Sequence, residues 1–517
     1  MTRALPRARP PTTPDEVHDR RWRILGVLCL SLVLIVAGNS SLNVALPTIV
    51  RELGATQTQL QWIVDAYAIT FAAILLPAGA LGDRYGRKGA LQIGLSVFGA
   101  AAFAASFAAD PVQVITARAV MGLAAAFVMP ATLSLLTVSF PRRERGRAIA
   151  IWAGFAGAGG VLGPLLSGLL LERFWWGSVF FINLPIVLVA LGLGAGLVPT
   201  SRDSRHRRLD VVGGLLSMVG LAGVVFAIIE GPERGWFTAF TVGPFVVGVV
   251  LLTAFLWWER HTTSPMLDPA WFTDRNFNVG AGTITLAFFG AFGVFFLVTQ
   301  YFQFVLAYSP LTAAGAQIPV ALALLLVAPR SAGLAERFGP DRVVTTGLLS
   351  IAAGFALLAL TAVPDAAYLA VAPALVLFGC GLALTTAPST ALILSAMPTD
   401  KAGVGSAVND TTRELGGSLG IAVLGSILTS LYQARLPLGD LPAQVREPVT
   451  RSVGAALEVA GRIEDPELGR RLADLARAAF VSGFRTAFVV ATVVALVAAA
   501  MVARFGSRYV TDGDDEI

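Results

Sequence analysis

Fourteen apolar stretches of roughly 20 residues run along this chain, and nothing else in it constrains folding as strongly. A helix rises about 1.5 Å per residue, so each stretch is long enough to cross the ~30 Å hydrocarbon core of a bilayer. The stretches cover about residues 24–46, 60–82, 90–108, 113–138, 147–170, 178–198, 210–230, 239–258, 278–303, 314–336, 342–362, 366–392, 404–430 and 480–504. Hydrophobic residues make up 55% of the 517 positions and charged ones only 14%, too little polar surface to cover a water-soluble fold. The expected class is an all-α integral membrane protein with fourteen transmembrane helices. A net charge of +5 resembles a nucleic-acid signal. The arginines, however, sit in short loops between apolar runs, where they orient helices, so no nucleic-acid partner is implied. Cys29 and Cys380 lie inside apolar stretches and read as packing residues.

Orientation follows from the loops. The N-terminal tail and the loops on its side carry 23 Lys and Arg, against 3 in the six short loops opposite. The positive-inside rule then puts both termini in the cytoplasm of a cell whose inner membrane holds the chain. The first stretch is too long for a signal-peptide core, and thirteen more follow it, so it is expected to stay as an anchor. The loop at 431–477 breaks the pattern with seven arginines balanced by seven acids. Within it, 449–461 and 466–479 alternate charged and apolar residues at helical spacing, as amphipathic surface helices do.

An internal repeat divides the chain. Gly79-Ala-Leu-Gly-Asp83-Arg84-Tyr-Gly86-Arg87-Lys88 follows the second stretch, and a weaker copy, Gly333-Leu-Ala-Glu336-Arg337-Phe-Gly339-Pro-Asp341-Arg342, follows the tenth. Pro141 precedes Gly146 by the same five residues that separate Pro398 from Gly403. The predicted organisation is a tail at 1–23, a six-helix bundle at 24–198, linkers with two inserted helices at 199–277, a second bundle at 278–505, and a tail at 506–517. Paired bundles of this kind bind substrate near the midplane and rock against each other.

Charges embedded in hydrocarbon cost at least ~2.5 kcal/mol, so they should face the interior and have partners. Five stand out: Asp65, Arg118, Asp410, Arg413 and Glu414. Asp65 and Arg118 lie at similar depths, about 8 to 10 Å from the same end of their helices, and are expected to pair. Such a pair either exchanges a proton, because burial and a nearby arginine act in opposite senses on a carboxyl, or it is a permanent ion pair that orients two helices. Asp410 and Glu414 stand four residues apart with Arg413 between them, which suits either a shared proton or a fixed network. Gly159, Gly163 and Gly168 allow close helix approach, and Pro164 removes a backbone donor, so the fifth span can bend or simply pack. Asn39, Asn43, Gln300, Tyr301, Gln303 and Asn409, with Trp62 as aromatic wall, are the expected cavity residues; each is also compatible with plain packing.

As a set, these motifs resemble the major facilitator superfamily, from about residue 24 to 505. The turn from Gly79 to Lys88 is similar to its signature A, Arg118-Ala-Val-Met121-Gly122 to signature B, and Gly159-Gly-Val-Leu-Gly163-Pro164-Leu-Leu-Ser167-Gly168 to the signature C of antiporters. Phe174-Trp175-Trp176-Gly177, running on to Asn183-Leu-Pro185, resembles exporters of quaternary ammonium compounds and methyl viologen. Fourteen spans match the multidrug:proton antiporter branch. The resemblance implies a latch at Gly79, Asp83, Arg84, Gly86, Arg87 and Lys88 whose contacts change between access states. It also implies a proton-binding acid in the first span, but Gly38 stands where the family commonly carries aspartate, so Asp65 is expected to take over that role. Met121 and Ser167 depart from the family's glutamine and glycine.

All three histidines, His18, His206 and His261, fall in the tail or loops, and no Walker A sequence occurs. No metal site, cofactor or direct use of ATP is therefore expected; the drive is the proton motive force. Nucleophile, base and orienting acid never share a membrane depth, so an enzyme is not expected either. The favoured expectation is a monomeric exporter of lipophilic cationic or amphiphilic drugs in exchange for protons. Two others stand beside it: a dedicated exporter of one natural product in self-resistance, and a non-transporting membrane sensor or assembly partner.

Overall fold

A computed structural model describes residues 14–201, 210–262, 265, 269–396, 402–436 and 443–506. Among them no strand forms. The N-terminal group comprises α1 (Pro14–Ser40), α2 (Leu42–Leu53), α3 (Gln57–Tyr85), α4 (Arg87–Ser106), α5 (Pro111–Ser139), α6 (Arg142–Leu171), α7 (Ser178–Phe181) and α8 (Asn183–Leu197). Two helices follow, α9 (Val211–Arg234) and α10 (Ala239–His261). The C-terminal group comprises α11 (Arg275–Gln300), α12 (Pro310–Gly315), α13 (Ile318–Phe338), α14 (Pro340–Thr361), α15 (Tyr368–Ser395), α16 (Ala402–Arg435), α17 (Ala443–Arg451), α18 (Val453–Arg462) and α19 (Pro466–Phe505).

Twelve helical segments of the described residues are long and apolar enough to cross a membrane. The second and fifth predicted spans are absent from those twelve, although α3 and α6 form there with 29 and 30 residues. Local sequence explains several boundaries. Thr56 caps α3 through a reciprocal box with Gln59, and Asp110, Asp274 and Asp465 accept from the first free amides of α5, α11 and α19. Both copies of the repeated turn place a glycine at positive φ between two helices, Gly86 at 128° and Gly339 at 91°, a conformation that a Cβ would strain.

Several predicted segments come out differently. The first span is interrupted at Ser41, so Asn39 and Asn43 fall on separate helices. Residues 301–305, at the end of the ninth span, wind as a π turn. In the 431–477 loop the first amphipathic segment is split at Ser452, whose hydroxyl accepts from the Ala455 amide. The second is not a separate surface helix but the opening turns of the 40-residue α19. Nor is this cap merely solvated: Val449, Val453 and Ala456 are buried, and Tyr432 Oη donates to the Val449 carbonyl at 2.9 Å.

The two groups meet along a seam in which α3 packs on α16. At the end of the molecule with the arginine-poor loops, side chains tie them together: Gln303 Nε2 donates to the Val44 carbonyl at 2.9 Å, and Ser309 Oγ donates to Glu172 Oε1 at 2.7 Å.

Candidate functional site

Helix α3 carries two polar residues one turn apart, Gln61 and Asp65, both fully buried. They face α16. A Cβ added at Gly425 would lie 2.4 Å from Gln61 Nε2, so glycine is what lets the two helices approach here. Across the seam, the Ser418 hydroxyl and Glu414 carboxyl of α16 are close enough to act on the Asp65 carboxyl. Neither oxygen of Asp65 has a hydrogen-bond partner, nor do Ser418 Oγ, Glu414 Oε2 or either amide atom of Gln61. Buried polar atoms are almost always paired, so orphaned atoms facing one another across the seam mark a place that the hydrogen bonds of this state do not close.

Arg118 on α5 is also fully buried; two of its three guanidinium nitrogens are bonded, while Nη1 has no hydrogen-bond partner. Its Nε donates to the Ile63 carbonyl at 3.0 Å, one Nη donates to Asn39 Oδ1 at 2.6 Å, and the guanidinium lies 4.3 Å from the centre of the Tyr67 ring. The expected ion pair between Asp65 and Arg118 does not form. Tyr67 and Asp65 are two residues apart, roughly 200° around the helix, so the face of α3 that receives Arg118 is opposite the one that carries Asp65. Glu414, reaching from α16, is the acid that acts on Arg118 across the seam.

The second predicted cluster lies on the same helix and extends the first. Arg413 Nη1 is 3.8 Å from Asp410 Oδ1, and its guanidinium sits 5.1 Å from the Phe288 ring of α11. The packing of α3 on α16 brings Asp65 and Glu414 together across the seam. Asn409 points to α15, where Oδ1 accepts from Thr390 Oγ1 at 3.0 Å.

Other predicted residues go to different places. Trp62 faces α9 rather than the seam, donating from Nε1 to Glu230 Oε1 at 3.0 Å. Tyr301 is fully buried, stacked on Phe484 with ring centres 4.9 Å apart, and its hydroxyl donates to the Val363 carbonyl. Gln300 Nε2 bonds back to the Phe296 carbonyl of its own helix, while Gln303 ties the two groups together as described. Of the turn residues, Arg87 donates to Ser201 and Lys88 Nζ to the Ala195 carbonyl at 2.8 Å, while Arg84 is exposed. Gly79 meets Pro130 of α5, and the Asp83 side chain lies outside the described residues. On α6, Gly159 and Gly163 lie against α1, where a Cβ at Gly163 would sit 2.2 Å from Ser40 Oγ. Gly168 lies against Leu311 of the other group, with Pro164 in the intervening turn.

Sequence reasoning passed over Gln61 and Ser418. The i,i+4 spacing of Gln61 to Asp65 and of Glu414 to Ser418 was the available signal: two short polar stripes in otherwise apolar helices. It also passed over Glu230, which is 9% exposed inside α9.

A model of the Major Facilitator Superfamily matches residues 28–421. The chain belongs to the Major Facilitator Superfamily. It is 36% identical over 476 residues to the multidrug efflux pump LfrA of Mycolicibacterium smegmatis, covering 91% of this chain and 94% of that one. It is 34% identical over 468 residues to the methyl viologen resistance protein SmvA of Salmonella typhimurium, covering 89% and 93%. Among solved structures, a bacterial homologue of the lysosomal transporter Spinster, inward-facing and unoccupied, aligns with a TM-score of 0.64 at 17% identity over 95% of this chain and 98% of that one. The fold is thus that of a major facilitator transporter, multi-pass in the membrane, and its relatives are efflux pumps.

Proposed function

We propose that this transporter exports lipophilic cationic or amphiphilic compounds in exchange for protons, through alternating access across the bacterial cytoplasmic membrane. The observation that carries the reading is the unpartnered Asp65 carboxyl on the seam, opposite Ser418 and Glu414. An ionised carboxylate in so dry a place costs several kcal/mol unless a proton or a cation neutralises it. A proton and a cationic substrate therefore compete for one neutralising role, which is the elementary requirement of exchange. Names of the relatives add support, since one is described by multidrug efflux and another by resistance to methyl viologen, a dication.

In this reading α3 and α6 also cross the membrane, giving fourteen spans as two six-helix bundles plus the inserted pair α9–α10, with both termini cytoplasmic and the chain a monomer. Asp65 and Glu414 hold the exchanged proton, with Arg118, Asp410 and Arg413 setting the field around them. Asn39 and Gln61 polarise the cavity wall; Arg87, Lys88 and their turn hold the access state, and the α6 glycines form the sliding face. The test is substrate-triggered proton movement in proteoliposomes with an imposed pH gradient, using methyl viologen and ethidium as probes. Proton release by the wild-type chain that Asp65→Asn abolishes is the expected result; probe movement without any proton flux would overturn it.

A further inference from the structure

The hairpin α9–α10 lies against both groups at once. Its two helices are held as one body: Gly220 and Gly248 bring their backbones so close that a Cβ at Gly248 would lie 2.7 Å from the Gly220 carbonyl oxygen. Helix α9 then packs along the seam, touching α3 on one side and α16 on the other through Leu221, Val225 and Ile229, which cluster with Ile69 and Ala422.

The two sides are built differently. Toward α3, Glu230 Oε1 accepts from Trp62 Nε1 at 3.0 Å, the same carboxylate is held by Arg234 Nε at 2.7 Å, and Phe226 packs against the Trp62 ring with centres 5.8 Å apart. One charge-assisted bond between the helices, with its carboxylate oriented by Arg234 of the same helix, and an aromatic contact make this joint. Toward α16 there is one polar contact, Ser426 Oγ donating to the Ile228 carbonyl at 2.6 Å. Pro232, four residues on, lacks the N–H that would close the helical bond to this carbonyl, so Ser426 supplies a donor where the helix has none. Beside this contact, a cavity of about 360 Å³ opens between the helices, walled by Ile228, Trp236, Val423 and Ile427. Each side thus has one hydrogen bond between helices; the α3 bond is charge-assisted and backed by an aromatic contact, whereas the α16 bond is between neutral groups and borders the cavity.

We propose that the α9–α10 hairpin is a fixture of the N-terminal group, anchored on α3 through Glu230 and Trp62, and that the Ser426–Ile228 bond, made at the carbonyl that Pro232 leaves without a helical donor, is a releasable latch between that fixture and the C-terminal group. The latch holds the state in which the arginine-poor end is closed, because α16 cannot leave α3 there without breaking it. Glu230, Pro232 and Ser426 are then positioning residues for the transport cycle, not substrate ligands. This holds whichever ion drives the cycle.

The test measures distances between spin labels on the full chain in nanodiscs, with Cys29→Ala and Cys380→Ala as background. One label pair, Arg173→Cys with Thr312→Cys, reports separation of the groups at the arginine-poor end; both sites are exposed. A second, Phe237→Cys with Ala109→Cys, reports the hairpin against the N-terminal group, and Phe237 is 97% exposed. Ser426→Ala is expected to raise the long-distance fraction of the first pair about fivefold, the population change that one net hydrogen bond supports, with the second pair unchanged. Pro232→Ala, which restores the helical donor to Ile228 without touching α16, is expected to do the same, and the two together no more than either alone. Glu230→Ala and Trp62→Phe are expected to broaden the second pair, while Glu230→Gln, which keeps the acceptor, leaves it sharp. An unchanged first pair in both Ser426→Ala and Pro232→Ala would show that the contact is no latch. A second pair that lengthens with the first would show that the hairpin travels with α16 instead. Either result overturns the proposal.

Discussion

Two ionisable side chains are buried to the same degree on neighbouring helices, and their surroundings differ in kind. Arg118 is enclosed by its own group, bonded to Ile63 and Asn39 and covered by the Tyr67 ring. Asp65 sits on the opposite face of α3 with no bond to either oxygen, and the groups nearest it belong to the other half of the molecule. A charge with partners in one rigid unit keeps them in every state of a rocking transporter. A charge whose polar neighbours lie across the seam changes its surroundings each time the halves separate. The first is built for permanence and the second for exchange, although a count of embedded charges treats them alike.

Substitutions at four residues break or sharpen that contrast. The largest expected effect is at Arg118: Arg118→Ala leaves the Asn39 amide oxygen and the Ile63 carbonyl without their donor and removes packing on Tyr67. Loss of a buried, bonded charge costs about 3–5 kcal/mol, to be read as a lower denaturation midpoint and loss of folded protein in detergent. Arg118→Lys should recover only part of it, because one ammonium cannot make both bonds and the ring contact. Asp65→Asn should do the opposite, leaving the midpoint unchanged or raised while methyl viologen–proton exchange falls at least about tenfold, a change of ~1.4 kcal/mol in the transport barrier. If Asp65→Asn unfolds the chain instead, the carboxyl has a structural partner and the contrast fails.

Glu414→Gln comes next. Glu414 acts on both Asp65 and Arg118 from α16, so its loss should lower exchange severalfold, and its effect should not add to that of Asp65→Asn. Additive losses would mean two independent proton sites. Asp410→Asn should be the mildest. Asp410 is 24% exposed, and its contact with Arg413 is long at 3.8 Å, the geometry of ion pairs worth about 0–1 kcal/mol, so exchange should fall no more than about fivefold. An effect larger than that of Asp65→Asn would move the centre of the site along α16.

Much of the architecture was legible before any coordinates. Helix ends follow from Thr56, Asp110 and Asp274, and the repeated turn is visible at Gly86 and Gly339, because caps and positive-φ glycines are decided by a few adjacent residues. The embedded charges could be found the same way, as could the family, through blocks such as Gly79–Lys88 and Gly159–Gly168. Partners could not. Asp65 and Arg118 share a depth, which suggested a pair, but depth does not say which way a side chain points around its helix. Trp62 and Tyr301 were both expected to line the cavity, yet one faces α9 and the other is stacked in the core on Phe484.

What the sequence by itself determined is the all-helical class, the membrane as solvent and the presence of five costly charges, since burial in hydrocarbon is demanded segment by segment. Only tertiary structure decided that Asp65 meets Glu414 and Ser418, that the hydrogen bonds of Arg118 come from its own half, and that the Ile228 carbonyl, left without a helical donor by Pro232, meets Ser426 nearly two hundred residues away. The physical reason is that helix periodicity leaves rotation about each axis open until neighbouring helices pack. It is the close contact of α3 and α16 at Gly425, and of α9 beside them, that fixes those rotations.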